Sequence, residues 1–194
     1  MLQFKDHALA GRELVQSVVD PRPQFAAHQI ALGVGASPSV GNLGQNVPTD
    51  GDRMALVSTG LGLTTQSGSF AQKVCLPPLP AGATQLILQY DWNFFSEEFM
   101  EFCGSPYQDF FQVTFGNNVL QGTKIDDLCS DALIHLDDVG FDKGDVWMTG
   151  WRTQMVDVTL FAGATDTLTF AAGDVGDSIY DTVILVDNVR LIVQ

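Results

Sequence analysis

The sequence predicts an all-β protein, a mostly antiparallel β-sandwich of jelly-roll type. Short runs of alternating apolar residues recur along the chain, where a helical protein would repeat them every three or four positions. Clusters of Gly, Asp, Asn and Pro separate these runs, giving eight or more short strands with turn signals between them. Composition agrees: 194 residues, 45% hydrophobic and 16% charged, suffice for one full core, so a single domain over residues 1–194 is expected.

Taken in order, only Gly11–Val19 has helical character. The stretch from Gln24 to Gly51 is rich in Gly, Ala and Ser with few bulky anchors, and reads as long connections and edge strands. Strands are expected at Met54–Thr59 and Phe70–Leu76, followed by a rigid Pro77-Pro78-Leu79-Pro80 connection. From Gln85 to Phe95 the alternation places Leu86, Leu88, Tyr90, Trp92 and Phe94 on one face. Asp109–Phe115 is the next strand, and Gly116-Asn117-Asn118 is a hairpin turn into Val119 and Leu120. Ala132–Leu136, Met155–Phe161, Thr167–Ala172 and Thr182–Val193 complete the set. In the last of these, parity puts Asp181, Val183, Leu185, Asp187, Val189, Leu191 and Val193 on one face. Asp187 then stands amid apolar neighbours, unless a bulge turns it out or backbone N–H groups satisfy it.

Charge excludes some functions. A net charge of −14 opposes binding to a nucleic-acid backbone and to anionic membranes. No run of about 18 apolar residues is present to span a bilayer, and MLQFKDHALAGREL has no apolar signal core. The acidic balance suits an extracellular or cell-surface protein in a calcium-rich medium; export then requires a leader these residues lack. Cys75, Cys103 and Cys129 allow either one disulfide, with Cys103 and Cys129 closing a loop, or three reduced thiols packed as small hydrophobes. Without CxxC spacing, a zinc site is not expected.

The chemistry concentrates between Phe94 and Phe111, FFSEEFMEFCGSPYQDFF, where three Glu and one Asp lie among six Phe and one Tyr. Carboxylates wedged between core-forming rings need a cation. Basic partners are scarce: Glu97 to Asp187 contains 17 acidic residues against Lys124, Lys143 and Arg152. A bound metal is the simplest source of positive charge, and an all-oxygen donor set favours Ca²⁺. Further along, Gly173-Asp174-Val175-Gly176-Asp177-Ser178-Ile179-Tyr180-Asp181 places three carboxylates in a loop able to wrap a hard cation, or simply to be solvated. No EF-hand spacing is met, and Asp138–Asp145 reads as a turn.

Enzymatic readings have less support. Glu97 and Glu101, or Glu98 and Glu101, are the available glycosidase acid and nucleophile, and the first pair would share a face on a strand, but a turn at Cys103-Gly104-Ser105-Pro106 follows at once. There is no Gly-x-Ser-x-Gly elbow, and His7, His28 and His135 have no evident nucleophile beside them. Trp147 and Trp151, flanking Met148-Thr149-Gly150, are candidates for stacking on a sugar ring, or else sheet packing.

The runs Trp92–Phe99, Glu101-Phe102 and Ser105–Phe111 resemble the SEE(Y/F)xEF…(Y/F)NDxF signature of exported bacterial choice-of-anchor β-sandwich domains. Supporting matches at Asp50–Gly60, Thr149-Gly150-Trp151, Gly176–Asp181 and Val186–Val189 extend the likeness over about residues 50–193. It implies a secreted or surface jelly roll, related to carbohydrate-binding modules with structural Ca²⁺, in which Glu97, Glu98, Asp109 and Asp181 form the acidic cluster. Gln108 stands where that pattern has Asn. With the Asp177/Asp181 loop added, the expected calcium ligands are Glu97, Glu98, Asp109, Asp177 and Asp181. The expected function is a calcium-stabilised binding or adhesion module whose partner is a glycan or a surface protein. An envelope protein without a small ligand and a glycoside hydrolase are the alternatives.

Overall fold

The computed structural model describes residues 17–19, 46–51, 54–59, 67–137, 139–141, 143–176 and 179–194. Among them are eleven strands: β1 Ser17–Val19, β2 Met54–Ser58, β3 Ser67–Cys75, β4 Leu86–Ser96, β5 Phe110–Phe115, β6 Asn118–Lys124, β7 Ile134–Leu136, β8 Val146–Met148, β9 Arg152–Asp157, β10 Thr165–Gly173 and β11 Thr182–Val193. One helical turn, α1 Ile125–Leu128, follows β6. Two antiparallel sheets result, ordered β1-β2-β11-β4-β8-β7, with β9 also paired to β4, and β3-β10-β5-β6. Chain order makes this a jelly roll: β2-β11-β4-β9 lies in one sheet and β3-β10-β5-β6 in the other, as nested pairs. No described helix is long and apolar enough to cross a membrane.

The core between the sheets is aromatic. Leu86, Leu88, Tyr90, Trp92 and Phe94 of β4 meet Phe70, Phe111, Val113, Phe115, Leu168 and Phe170 of the facing sheet. Phe70 stacks on Phe170 at 4.9 Å, and Tyr90 meets Phe170 edge-on at 5.3 Å.

The opposite face of β4 departs from simple alternation, because it is buried too. Phe95 joins a second cluster with Met54, Leu56, Leu136, Phe141, Val146, Val183 and Leu185. Beside it run Gln89, Asp91 and Asn93, all shielded from water. A strand at the centre of a sheet with both faces covered keeps polar side chains only if each finds a partner. Asp91 accepts from Thr153 Oγ1 at 2.6 Å and Asn188 Nδ2 at 3.0 Å, and Asn93 Nδ2 donates to Asn46 Oδ1 at 2.9 Å. Although burial opposes ionisation, hydrogen bonds from Thr153, Thr49 and Asn188 with the Arg190 charge hold Asp91 below the usual carboxylate range.

In β11 the register with β4 shifts between Asp187 and Arg190, and Asn188 takes a left-handed φ of 52°. This bulge corrects the parity expected from sequence: Val183 and Leu185 pack in the second cluster, whereas Val189 and Leu191 turn to the main core. Asp187 stays on the outer side, where its Oδ2 accepts from Thr49 N at 2.6 Å and Asp50 N at 3.0 Å. Backbone N–H groups thus satisfy it, but at the centre of a sheet, since β11 lies between β2 and β4.

Other boundaries moved. Where it is described, the Gly11–Val19 segment is strand, not helix; its remainder, and most of residues 24–51, lie outside the described residues. The Met155–Phe161 strand begins earlier, at Arg152, and ends at Asp157 in a 3₁₀ turn, Thr159–Phe161, where Asp157 Oδ1 accepts from Thr159 N at 2.9 Å. The strand expected from Ala132 starts only at Ile134, and β8 and α1 were not foreseen. Cys103 and Cys129 form a disulfide with Cα atoms 6.0 Å apart, so the reduced alternative does not apply to that pair; Cys75 is free and exposed.

Candidate metal centre

The site is built where β4 leaves its sheet. Ser96 ends the strand and its Oγ accepts from Glu98 N at 2.9 Å, turning the chain so that Glu97 and Glu98 point into different surroundings. Both side chains are buried.

Glu97 is held by backbone. Its Oε1 accepts from Phe141 N at 2.9 Å and Lys143 N at 3.1 Å, and its Oε2 accepts from Asp181 N at 3.1 Å. One carboxylate therefore pins the 139–143 loop and the approach to β11 against the end of β4. Glu101, the other half of the glycosidase pairing, is exposed; both glutamates lie beyond β4, in turns where strand parity does not apply. Asp181, also buried, accepts from Thr59 Oγ1 at 3.2 Å.

Glu98 turns toward Asp109. Its Oε2 accepts from Asp109 N at 3.0 Å. Asp109 is 0% exposed, and its Oδ1 accepts from Val175 N at 3.1 Å, while its Oδ2 has no hydrogen-bond donor. The neighbouring Thr182 hydroxyl lies 2.9 Å from Ser96 Oγ and also acts on the Asp109 carboxyl, lowering it. Burial first, and then the Glu98 carboxylate, push Asp109 up to about 8; Asp174 adds to this, and Thr182 and Val175 only partly oppose it. Both carboxylate oxygens of Asp174 are themselves shielded from water. Two carboxylates, Glu98 from the segment between β4 and β5 and Asp174 from just after β10, thus both raise the buried Asp109.

The two loops are locked by rings. Phe102 contacts Tyr107 at 5.5 Å and Tyr180 at 4.7 Å. Tyr107 also covers Gly176, whose φ of +110° and absent side chain are both required, since a Cβ there would lie 2.5 Å from the Tyr107 ring.

Of the five ligands expected from sequence, the fold brings Glu98 and Asp109 into direct contact, seats Glu97 and Asp181 together in an adjoining knot, and leaves Asp177 outside the described residues. Asp174, which is not in that set, acts on Asp109 through its charge. Its place in an acid-rich Gly loop was the only signal, and spacing could not choose among three candidates. Among the described residues no group of three or more His, Cys, Asp or Glu side chains is placed to hold a metal ion. The donor chemistry nonetheless fits a hard cation: all oxygen, water-shielded, with one oxygen lacking a donor.

Gln108 does not face this pocket; its amide engages Asp126 and Ser105. Trp147 sits on β8, half-buried against the main core, with its ring 4.8 Å from His135. Trp151 is half-buried against the second cluster, its indole N–H enclosed without an acceptor.

No family model matches the chain, and no curated protein matches it either. Among solved structures, it is similar to the K1 cleaved adhesin domain of Lys-gingipain from Porphyromonas gingivalis W83, at 14% identity over 79% of this chain and 82% of that one, with a TM-score of 0.37. It is also similar to the Stig cyclase Fisc from Fischerella sp. TAU, at 13% identity over 96% of this chain and 91% of that one, with a TM-score of 0.39. Likenesses this distant carry no functional argument.

Proposed function

We propose that the protein is a calcium-stabilised extracellular binding or adhesion module, in which Glu98, Asp109 and Asp174 hold Ca²⁺. The single observation behind this reading is Asp109 Oδ2, a fully buried carboxylate oxygen with no donor, beside two further carboxyl groups. Such an arrangement is costly unless a proton or a cation relieves it. An all-oxygen pocket assembled from two loops suits Ca²⁺ better than Mg²⁺, which demands near-octahedral geometry and gives up its waters reluctantly. When bound, the cation supplies positive charge that lets these anions share one space. The protein's own part is to hold the 97–108 loop, the 174–176 turn and Tyr180 together through Glu97, the Phe102–Tyr107–Tyr180 rings and the Cys103–Cys129 disulfide.

That disulfide supports an oxidising location, and the net charge of −14 supports a calcium-rich, non-nucleic-acid setting. The ligand would be a glycan or a surface protein, bound through loops on the rigid sandwich. Half-burial of Trp147 and Trp151 limits how much ring face each offers to a sugar. The test is thermal unfolding in EGTA and in millimolar Ca²⁺. A cation at about 100 times its Kd adds roughly 2.7 kcal/mol, which moves the midpoint of a domain this size by about 5–10 °C. No shift, together with no metal in elemental analysis, removes the calcium assignment.

A further inference from the structure

The four-stranded sheet ends at β3, and the backbone there shows which residues face outward. Leu76 N donates to Ala164 O at 2.9 Å, and from that point β3 pairs with β10 without a bulge, from Cys75 opposite Thr165 to Ser67 opposite Gly173. Bonded and non-bonded pairs alternate in an antiparallel ladder, so the even-numbered residues of β3 bond to β10. Gly116 N, donating to Thr167 O at 2.8 Å, gives the same parity, because it assigns the odd-numbered residues of β10 to β5. Ser67, Ser69, Ala71, Lys73 and Cys75 therefore turn both N–H and C=O away from β10, and among the described residues no strand lies beyond them.

Such edges pair with any strand that reaches them, and proteins guard them with bulges, charges or brevity. The other end strands are guarded. β6 carries a register shift opposite Val113 and Thr114 and runs on into Asp126 and Asp127, while β1 and β7 have three residues each. β3 has nine residues and a single charge, Lys73. It also lies within residues 53–90, which hold no Asp or Glu in a chain that has 23 of them. Its neighbours on the same face of β10, Thr165, Thr167, Thr169 and Ala171, are uncharged as well. Two copies that each carry −14 repel one another, and they repel least where neither presents a carboxylate. We propose that β3 pairs antiparallel with β3 of a second copy of this chain across a two-fold axis, joining the two smaller sheets into one. The register that uses both strands in full sets Ala71 opposite Ala71 of the partner subunit. Lys73 then stands opposite Ser69 of the partner subunit and Cys75 opposite Ser67 of the partner subunit, so no like charges face each other. Nothing in this pairing depends on calcium.

The test is sedimentation velocity on the full chain in EGTA, from micromolar to near-millimolar concentration, for wild type, Ala71→Glu and Ser69→Glu, with circular dichroism confirming each fold. Wild type should pass from monomer to dimer across that range. Ala71→Glu sets two carboxylates opposite each other at the axis and should weaken the dimer by about fivefold. Ser69→Glu adds the same charge to the same face of the same strand, but places it opposite Lys73 of the partner subunit. It should leave the dimer unchanged or tighten it. If the two variants act alike, the contact ignores this register and the proposal is overturned. A wild type that stays monomeric throughout also overturns it, and leaves the edge to a strand of a different protein. Should Ala71→Glu fail to fold, Ala71→Lys makes the same like-charge pair at the axis.

Discussion

Asp109→Asn should change the sign of its effect with calcium. The substitution keeps the shape of the side chain and an oxygen for the Val175 N–H, but replaces the donor-less Oδ2 with an amide group beside the Glu98 carboxylate. In the metal-free protein the Asp109 carboxyl is raised from 3.8 to about 8, mainly by burial. A group raised on folding gives stability that is complete below its unfolded value and is lost as pH rises through its folded value. Metal-free wild type should therefore weaken steadily from about pH 4 to pH 8. Three pH units separate pH 5 from the folded value of about 8, and at about 1.4 kcal/mol per unit the loss between pH 5 and pH 9 is roughly 4 kcal/mol. The Asn variant has no such proton to lose, so at pH 9 in EGTA it should be the more stable protein by a few kcal/mol. In millimolar Ca²⁺ the order reverses, because the cation relieves the wild-type carboxylate and finds one ligand fewer in the variant. Urea unfolding at pH 5, 7 and 9, with EGTA or Ca²⁺, reads all of this directly. The reasoning fails if the two proteins coincide at pH 9 without calcium, or if calcium stabilises the variant as much as the wild type.

Glu97→Gln should destabilise the fold by about 1–3 kcal/mol with or without calcium, because it leaves one of three backbone N–H groups, two of them buried, facing an amide donor; urea midpoints in both conditions check this. Asp187→Ala removes the acceptor of Thr49 N and Asp50 N, so hydrogen exchange at those two amides should accelerate well beyond that in β4, at a cost of about 1–3 kcal/mol. Reduction of Cys103–Cys129, which closes a 26-residue separation, should cost about 3 kcal/mol in the chain-entropy model, read as a lower urea midpoint in the presence of a reductant. Phe170→Ala, at the centre of the ring stack with Phe70, Tyr90 and Phe111, should cost about 3–5 kcal/mol and leave calcium uptake by the remaining folded protein unaltered.

Strand positions were legible in the sequence because burial between two sheets imposes a period of two. β4, β5, β10 and β11 fall within a residue or two of the alternating runs that announced them. What alternation could not show is a second burial on the far side of β4, where Gln89, Asp91 and Asn93 look like solvent-facing residues until a covering layer is known. Nor could it register the Asn188 bulge, since one residue in the left-handed region reverses every later side chain without altering composition. Short elements failed for another reason. β8 has three residues, and α1 has four held by the Lys124–Asp127 capping contacts, too few for any period to develop.

For the site, residue type was readable and destination was not. Glu97, Glu98, Asp109 and Asp181 read as acids for which scarcity of basic residues suggested one common remedy, a metal, while for Asp187 a bulge or backbone N–H groups were the alternatives. The fold answers most of them differently. Glu97 and Asp187 go to backbone N–H groups at loop closures, and Asp181 goes to the Thr59 hydroxyl. Backbone amides are a donor supply that composition never shows, so counting Lys and Arg overstates how much charge a cation must neutralise. Asp109 is the exception that such donors do not fully reach. It accepts one N–H from Val175, feels the charges of Glu98 and Asp174, and keeps an oxygen with no donor. A single unanswered carboxylate is a stronger argument for a ligand than a long acidic run, because the rest of the molecule demonstrates that this chain can satisfy its buried acids by other means.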